Sequence, residues 1–254
     1  MLTEQQHAFF DAFGFIHLKQ VFSAKEFEEI TSEADKIFKQ NAEKNPERSY
    51  QTIVGFVEQN AILSRLAVDE RIHGVIEELL ASDFVWGNSE GNKGSFNQDQ
   101  LHNWHCDRVG EYDMQYARLK VMIYLTPTTR DGGALRVMPG SHRAPLHQAM
   151  VPLNSQGDNA SQTVFGISGS EVPGYPLESN PGDVVFFNHY LFHAVYGKSS
   201  TRRYITLKYA DKPTKHEHFE SLKRHCQGQG YLHQAALSST DPKMQRMLAP
   251  LIGT

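Results

Sequence analysis

Asn103-Trp104-His105-Cys106-Asp107-Arg108 is the stretch on which the reading of this chain turns. Residues two apart on an extended strand project to one face. His105 and Asp107 therefore point together, with Cys106 turned away. An imidazole and a carboxylate at that spacing can take two adjacent positions around a metal ion. A His-x-Asp pair alone is common by chance and fits equally a strand-edge histidine bonded to a nearby carboxylate, so the flanking sequence has to decide.

Around this stretch the texture is that of a β protein. From about residue 83 the apolar runs are short and rich in β-branched and aromatic residues, beginning with Phe84, Val85 and Trp86. Strands are predicted over 84–88, 94–98, 101–105, 117–126, 134–138, 183–188 and 202–209, with Gly, Pro, Asn and Asp between them, as in a sandwich or barrel. Upstream, residues 1–82 read as mainly helical. Thr3 with Gln6 and Ser23 with Glu26 have capping-box spacing. Phe27, Ile30, Ala34, Ile37 and Phe38 recur at helical intervals. A brief strand is expected over 15–18 and a long helix over 61–81. The polar segment 144–181 reads as an insert able to act as a lid over a site. From Lys212 the chain reads as helical and polar, with His216, His218, His225 and His233 on the surface.

A third ligand must come from another strand. His193, ending the run Phe186-Phe187-Asn188-His189-Tyr190-Leu191-Phe192-His193, is the best candidate. Two histidines and one carboxylate make the facial triad of non-haem iron(II) sites, leaving three positions open. His102, out of phase with His105, and His189, with no carboxylate nearby in sequence, are set aside. Nine residues past His193, Arg202 opens a strand with Tyr204 and Thr206 on its face. A buried guanidinium needs an anionic partner, and its fork matches a carboxylate. The neighbouring Arg203 would share the opposite face with Ile205 and Leu207. Pro181-Gly182-Asp183 turns the chain into the strand leading to His193, and Gly132-Gly133-Ala134-Leu135-Arg136-Val137-Met138-Pro139-Gly140-Ser141-His142 joins a strand to a tight turn, where His142 is expected to be structural.

Taken in order, these motifs resemble the phytanoyl-CoA dioxygenase-like family of iron(II)/2-oxoglutarate oxygenases. The resemblance runs through residues 103–209 and extends to the helical opening around Phe9, Gly14 and Phe15. It implies a double-stranded β-helix, the jelly-roll barrel of cupins, with N-terminal helices packed on it. It implies one domain over 1–254, with a barrel core over 83–210 and a helical tail over 211–254. It assigns His105, Asp107 and His193 to Fe(II) and Arg202 to the far carboxylate of 2-oxoglutarate. It sets Met122 against the co-substrate and Asn88 at its keto-acid end. The reaction it implies consumes O2, releases succinate and CO2, and hydroxylates a substrate; the presence of Asp107 favours hydroxylation over halogenation. Asn97, Gln98, Arg108, Lys120 and Tyr124 are the candidate substrate contacts. Lys120, Met122 and Tyr124 would share one strand face, and an inward cation and phenol would suit a small polar or anionic metabolite.

Composition sets outer limits. A net charge of -4 gives no support to a nucleic-acid partner. Two cysteines, Cys106 and Cys226, form no disulfide framework, and a reducing, cytoplasmic setting follows. No stretch reads as a signal peptide or a membrane span. The expected assembly is a monomer or homodimer acting on a small molecule. A metal- or 2-oxoglutarate-binding sensor, or a hydroxylase of a protein or an acyl thioester, are the competing readings.

Overall fold

The structure is a computed structural model describing residues 1–48, 50–94, 102–111, 113–156, 163–197, 201–225 and 234–252. Among the described residues ten strands form two antiparallel sheets. The larger takes the order β1 (Phe15–Leu18), β8 (Val184–Asn188), β5 (Arg118–Tyr124), β10 (Arg203–Ala210), β3 (Val85–Lys93), β2 (Gln51–Val54). The smaller takes the order β4 (His102–His105), β9 (His193–Gly197), β6 (Gly132–Val137), β7 (Tyr175–Leu177). From β3 to β10 the chain crosses between the two sheets, which is the double-stranded β-helix topology. The sheets face one another without closing into a continuous hydrogen-bonded barrel, because no strand of one sheet pairs with a strand of the other among the described residues.

Alternation along the large sheet explains its position. Leu119, Val121 and Ile123 of β5 and Ile205, Leu207 and Tyr209 of β10 face one way, into a core shared with helix α2 (Ala24–Lys44), α3 (Glu70–Leu79) and the C-terminal α7 (Pro242–Leu248). Met122, Tyr124, Val185 and Phe187 face the other way, toward Leu135, Val137 and Leu177 of the small sheet. The helices back the large sheet, and the space between the sheets is left for a site. Both expected capping boxes are formed, at α1 (Glu4–Phe13) and α2, and all five periodic residues of α2 are buried.

Four expectations need correction. The helix over 61–81 is broken: a short 3-10 turn over Leu63–Ala67 is followed by α3, whose N-cap Asp69 accepts from the Arg71 amide. An aspartate satisfies free amides better at a helix start than inside one. Strands β2, β7 and β9 are additional, and β3 runs on to Lys93. The described part of the segment 144–181 packs behind the small sheet rather than across the cavity. Its Leu153, Val164 and Val172 pack with Trp104, Phe192 and Tyr196 on the outer side of the small sheet, and the Trp104 indole donates to the Gly169 carbonyl at 2.7 Å. His218 is not on the surface: it stacks on Tyr116 at 3.9 Å and lies 3.1 Å from Asp113. The 94–98 strand lies, past Gly94, outside the described residues.

The Pro181-Gly182-Asp183 turn is a structural lock. The buried Asp183 carboxylate accepts from the backbone amides of Gln20 and Asn180 at 2.9 and 3.0 Å and from the Lys19 ammonium at 3.1 Å, with His17 Nε2 at 3.4 Å. Burial would raise this carboxyl, but those donors outweigh it and hold it below the usual carboxylate range. Burial, reinforced by Lys19, pushes the His17 imidazole down to about 4 despite the pull of Asp183. Both groups are depressed in the folded protein, so the unfolded chain takes up more protons on acidification. Stability is therefore expected to fall as pH drops from about 6.5 toward 4, the window that the His17 shift defines. Asp183→Asn is expected to cost about 2–4 kcal/mol at neutral pH, since it strips charge from a buried carboxylate with several donors. Urea unfolding of the variant and of the parent between pH 4 and 8 checks both points; an Asp183→Asn midpoint equal to the parent's would refute the lock.

Candidate active site

Two adjacent strands of the small sheet bring the histidines together. β4 pairs with β9 so that His105 lies opposite His193, with ring centroids 4.3 Å apart. Each imidazole has its Nδ1 tied to a backbone carbonyl two residues earlier, His105 to Asn103 at 2.7 Å and His193 to Leu191 at 2.9 Å. If Nδ1 carries the proton, Nε2 is left as a bare lone pair, the arrangement that metal-ligating histidines use. The buried His193 is held neutral: burial, reinforced by His105, pushes it down to about 3.

Asp107 arrives differently from the expectation. β4 ends at His105, and Asp107 sits in the following turn, its amide donating to the His189 carbonyl at 3.0 Å. That bond, rather than strand alternation, sets the carboxylate 3.9 Å from His193 Nε2. The possible ligand atoms of His105, Asp107 and His193 all lie within 4.8 Å of one another. Two nitrogens and one oxygen on one side of a common point are the donor set that Fe(II) takes.

The three residues line a cavity of about 350 Å³ between the sheets. Arg202, Tyr204, Thr206 and Lys208 project into it from β10 or its leading edge, and Lys120 and Met122 from β5. Leu135, Phe187 and Val195 supply apolar wall. The Arg202 guanidinium is buried, 4.2 Å above the Tyr204 ring and 5.8 Å from that of Tyr124. Among the described residues its Nε has no hydrogen-bond partner and no carboxylate lies within ion-pair distance. Arg203, by contrast, turns outward and pairs with Asp35 of α2. A buried guanidinium with no acid beside it is costly unless an anionic ligand completes it, so the cavity fits a carboxylate at this end.

The other candidates divide. Lys120 reaches the Asp107 carboxylate at 2.7 Å. The buried Tyr124 directs its hydroxyl to the Met122 sulfur at 3.8 Å and stands beside Arg202 without reaching the cavity surface. Asn88 is buried opposite Lys208 in the register and does not line the cavity. Two and four residues further along the same face, Glu90 and Asn92 do so instead. Arg108 is no substrate contact: it is buried against Tyr190, bonded to Glu111 at 2.7 Å and to the Tyr116 carbonyl. Asn97 and Gln98 lie outside the described residues. Missed from sequence were Glu90, Asn92, Thr52 and Lys208. Lys208 was within reach, since it continues the period-two series Arg202, Tyr204, Thr206.

The double-stranded β-helix thus gathers a His-x-Asp and a distal histidine between its sheets as a candidate metal site. The phytanoyl-CoA dioxygenase (PhyH) family model matches residues 10–204. The chain belongs to the phytanoyl-CoA dioxygenase family. It is 27% identical over 158 residues to an ectoine dioxygenase of Sphingopyxis alaskensis, a match covering 57% of this chain and about half, 51%, of that protein. Among solved structures it is similar to HygX from Streptomyces hygroscopicus with nickel and 2-oxoglutarate bound (TM-score 0.64, 20% identity, 83% of this chain and 87% of that one). It is similar also to EctD from S. alaskensis with bound Fe (TM-score 0.63, 22% identity, 83% and 77%). At these identities the structural matches establish the shared fold. No helix among the described residues is long and apolar enough to cross a membrane.

Proposed function

We propose that this chain is an iron(II)- and 2-oxoglutarate-dependent dioxygenase that hydroxylates a small polar metabolite. The observation that carries this reading is the buried Arg202 guanidinium, without an acidic partner among the described residues, in the same cavity as His105, Asp107 and His193. A metal site alone would suit a hydrolase or an isomerase; the second, carboxylate-seeking end gives Arg202 a role only if a diacid binds. The names of the relatives support it, since an ectoine dioxygenase and an iron-bound EctD stand among them.

In this reading His105 and His193 would offer Nε2 and Asp107 a carboxylate oxygen to iron(II), and Arg202 would hold the far carboxylate of 2-oxoglutarate. Together the metal, the co-substrate and O2 supply an oxidant able to cleave a C–H bond, with succinate and CO2 as co-products. The protein's part is orientation and exclusion. The backbone bonds at the two Nδ1 atoms keep the imidazoles from rotating. The Asp107 amide bond to His189 fixes the turn that carries the carboxylate. Leu135, Phe187 and Val195 keep water from part of the cavity, and its size suits a compact substrate better than a long acyl chain. We read residues 1–254 as one catalytic unit working in the cytoplasm as a monomer or homodimer. The test is succinate formation from 2-oxoglutarate by the purified protein with Fe(II), ascorbate and air, screened against a metabolite library. Substrate-stimulated, iron-dependent succinate is the expected result; tight 2-oxoglutarate binding with no turnover under any condition would favour a sensor instead.

A further inference from the structure

We infer that Lys120 determines specificity at this site and that the substrate presents a carboxylate to it; the inference rests on the oxygenase reading above. Of the lysines and arginines lining the cavity, Lys208 is paired with Glu90, and Arg224, at the exposed mouth, lies 3.4 Å from Glu111. Arg202 is accounted for by the co-substrate. Lys120 is different, because its ion-pair partner among the described residues is Asp107, which is itself a candidate ligand for the metal. A divalent ion on Asp107 takes over that carboxylate's charge. The Lys120 side chain is only 14% exposed and its ammonium lies 5.6 Å from the centre of the Phe187 ring, so water compensates it poorly. An ammonium in such a place needs a new anion.

The co-substrate's remote carboxylate does not serve. In the strand register Lys120 stands opposite Lys208, six residues along β10 from Arg202. That is roughly 20 Å of strand at about 3.3 Å per residue. The two side chains therefore enter the cavity from well-separated strand positions, Lys120 beside Asp107 and Arg202 toward the other end. An ion on one Asp107 oxygen would weaken that carboxylate's hold on Lys120, so the substrate's place would be completed by the metal rather than standing ready without it.

Calorimetry on the full chain loaded with Mn(II) and 2-oxoglutarate tests this with a panel of small carboxylic acids and their primary amides. The best acid is expected to bind at least about tenfold tighter than its amide, the weight of one charge-assisted contact. Lys120→Gln is expected to erase that difference, Lys120→Arg to retain most of it, and neither to shift the 2-oxoglutarate Kd more than about threefold. Acids that bind no better than amides, or bind no better than buffer, would overturn the inference. So would a tenfold loss of 2-oxoglutarate affinity in Lys120→Gln, which would place Lys120 on the co-substrate. If the parent protein takes up neither Mn(II) nor 2-oxoglutarate, the oxygenase reading itself fails; uptake of both without an acid preference defeats only the present inference.

Discussion

Replacing Asp107 with alanine is expected to lower 2-oxoglutarate-coupled turnover roughly a thousandfold and to weaken Fe(II) binding in parallel. The carboxylate is the single anionic donor of the three candidate ligands. Partners one layer out from a metal typically matter 10- to 100-fold, so a direct ligand should matter more, roughly 10³-fold, or about 4 kcal/mol. The substitution also takes from Lys120 its carboxylate 2.7 Å away. A fall in thermal stability alone would therefore not establish the metal role. Anaerobic Fe(II) calorimetry separates the two, and Asp107→Asn, which keeps the shape and removes the charge, should show the same loss of metal affinity with a smaller change in folding. Metal affinity and turnover within about threefold of the parent in both variants would remove Asp107 from the site.

Replacing Arg202 with alanine is expected to raise the KM for 2-oxoglutarate roughly 10²- to 10³-fold while metal binding persists. A bidentate guanidinium–carboxylate pair makes two charge-assisted bonds, each worth about 1.5–3 kcal/mol, in a place closed to water. Arg202→Lys should recover only part of the loss, because one point charge cannot reproduce the fork. Arg203→Ala serves as the contrast: its guanidinium pairs with Asp35 on the outer side, and 2-oxoglutarate kinetics should not respond. Equal effects from the two alanine variants would contradict the assignment of the inward face to Arg202.

How much of this could be read beforehand depends on where period two holds. Along β5 and β10 the alternation is clean: Ile205 and Leu207 go to the core, Tyr204 and Thr206 to the cavity, and the choice of Arg202 over Arg203 follows from it. At β4 the rule singled out two residues that the structure brings beside His193, but for an incomplete reason, since Asp107 lies beyond the strand and is carried by a turn bonded to His189. Past that turn alternation has no meaning, and nothing in the sequence tells that Arg108, a candidate substrate contact, is buried against Tyr190. β3 was cut short at Asn88 because Ser89, Glu90, Gly91 and Asn92 have poor strand propensity. Tertiary packing overrides it, with Gly91 pressed so closely on Phe56 that an added Cβ would lie 2.1 Å from the ring. The part lost with that strand end, Glu90 and Asn92, is the polar side of the cavity. The insert at 144–181 was polar enough to suggest a lid, but its few apolar residues, Leu153, Val164 and Val172, suffice to dock it behind the small sheet.

His105, Asp107 and His193 are proposed to hold one ion, with Arg202 gripping the far end of a diacid bound beside it. A crystal structure of the protein grown with Mn(II) and 2-oxoglutarate tests that most directly. It should show one ion on His105 Nε2, His193 Nε2 and an Asp107 oxygen, with the diacid's far carboxylate bidentate on Arg202. An ion bound elsewhere, or a diacid with that carboxylate away from Arg202, would contradict it.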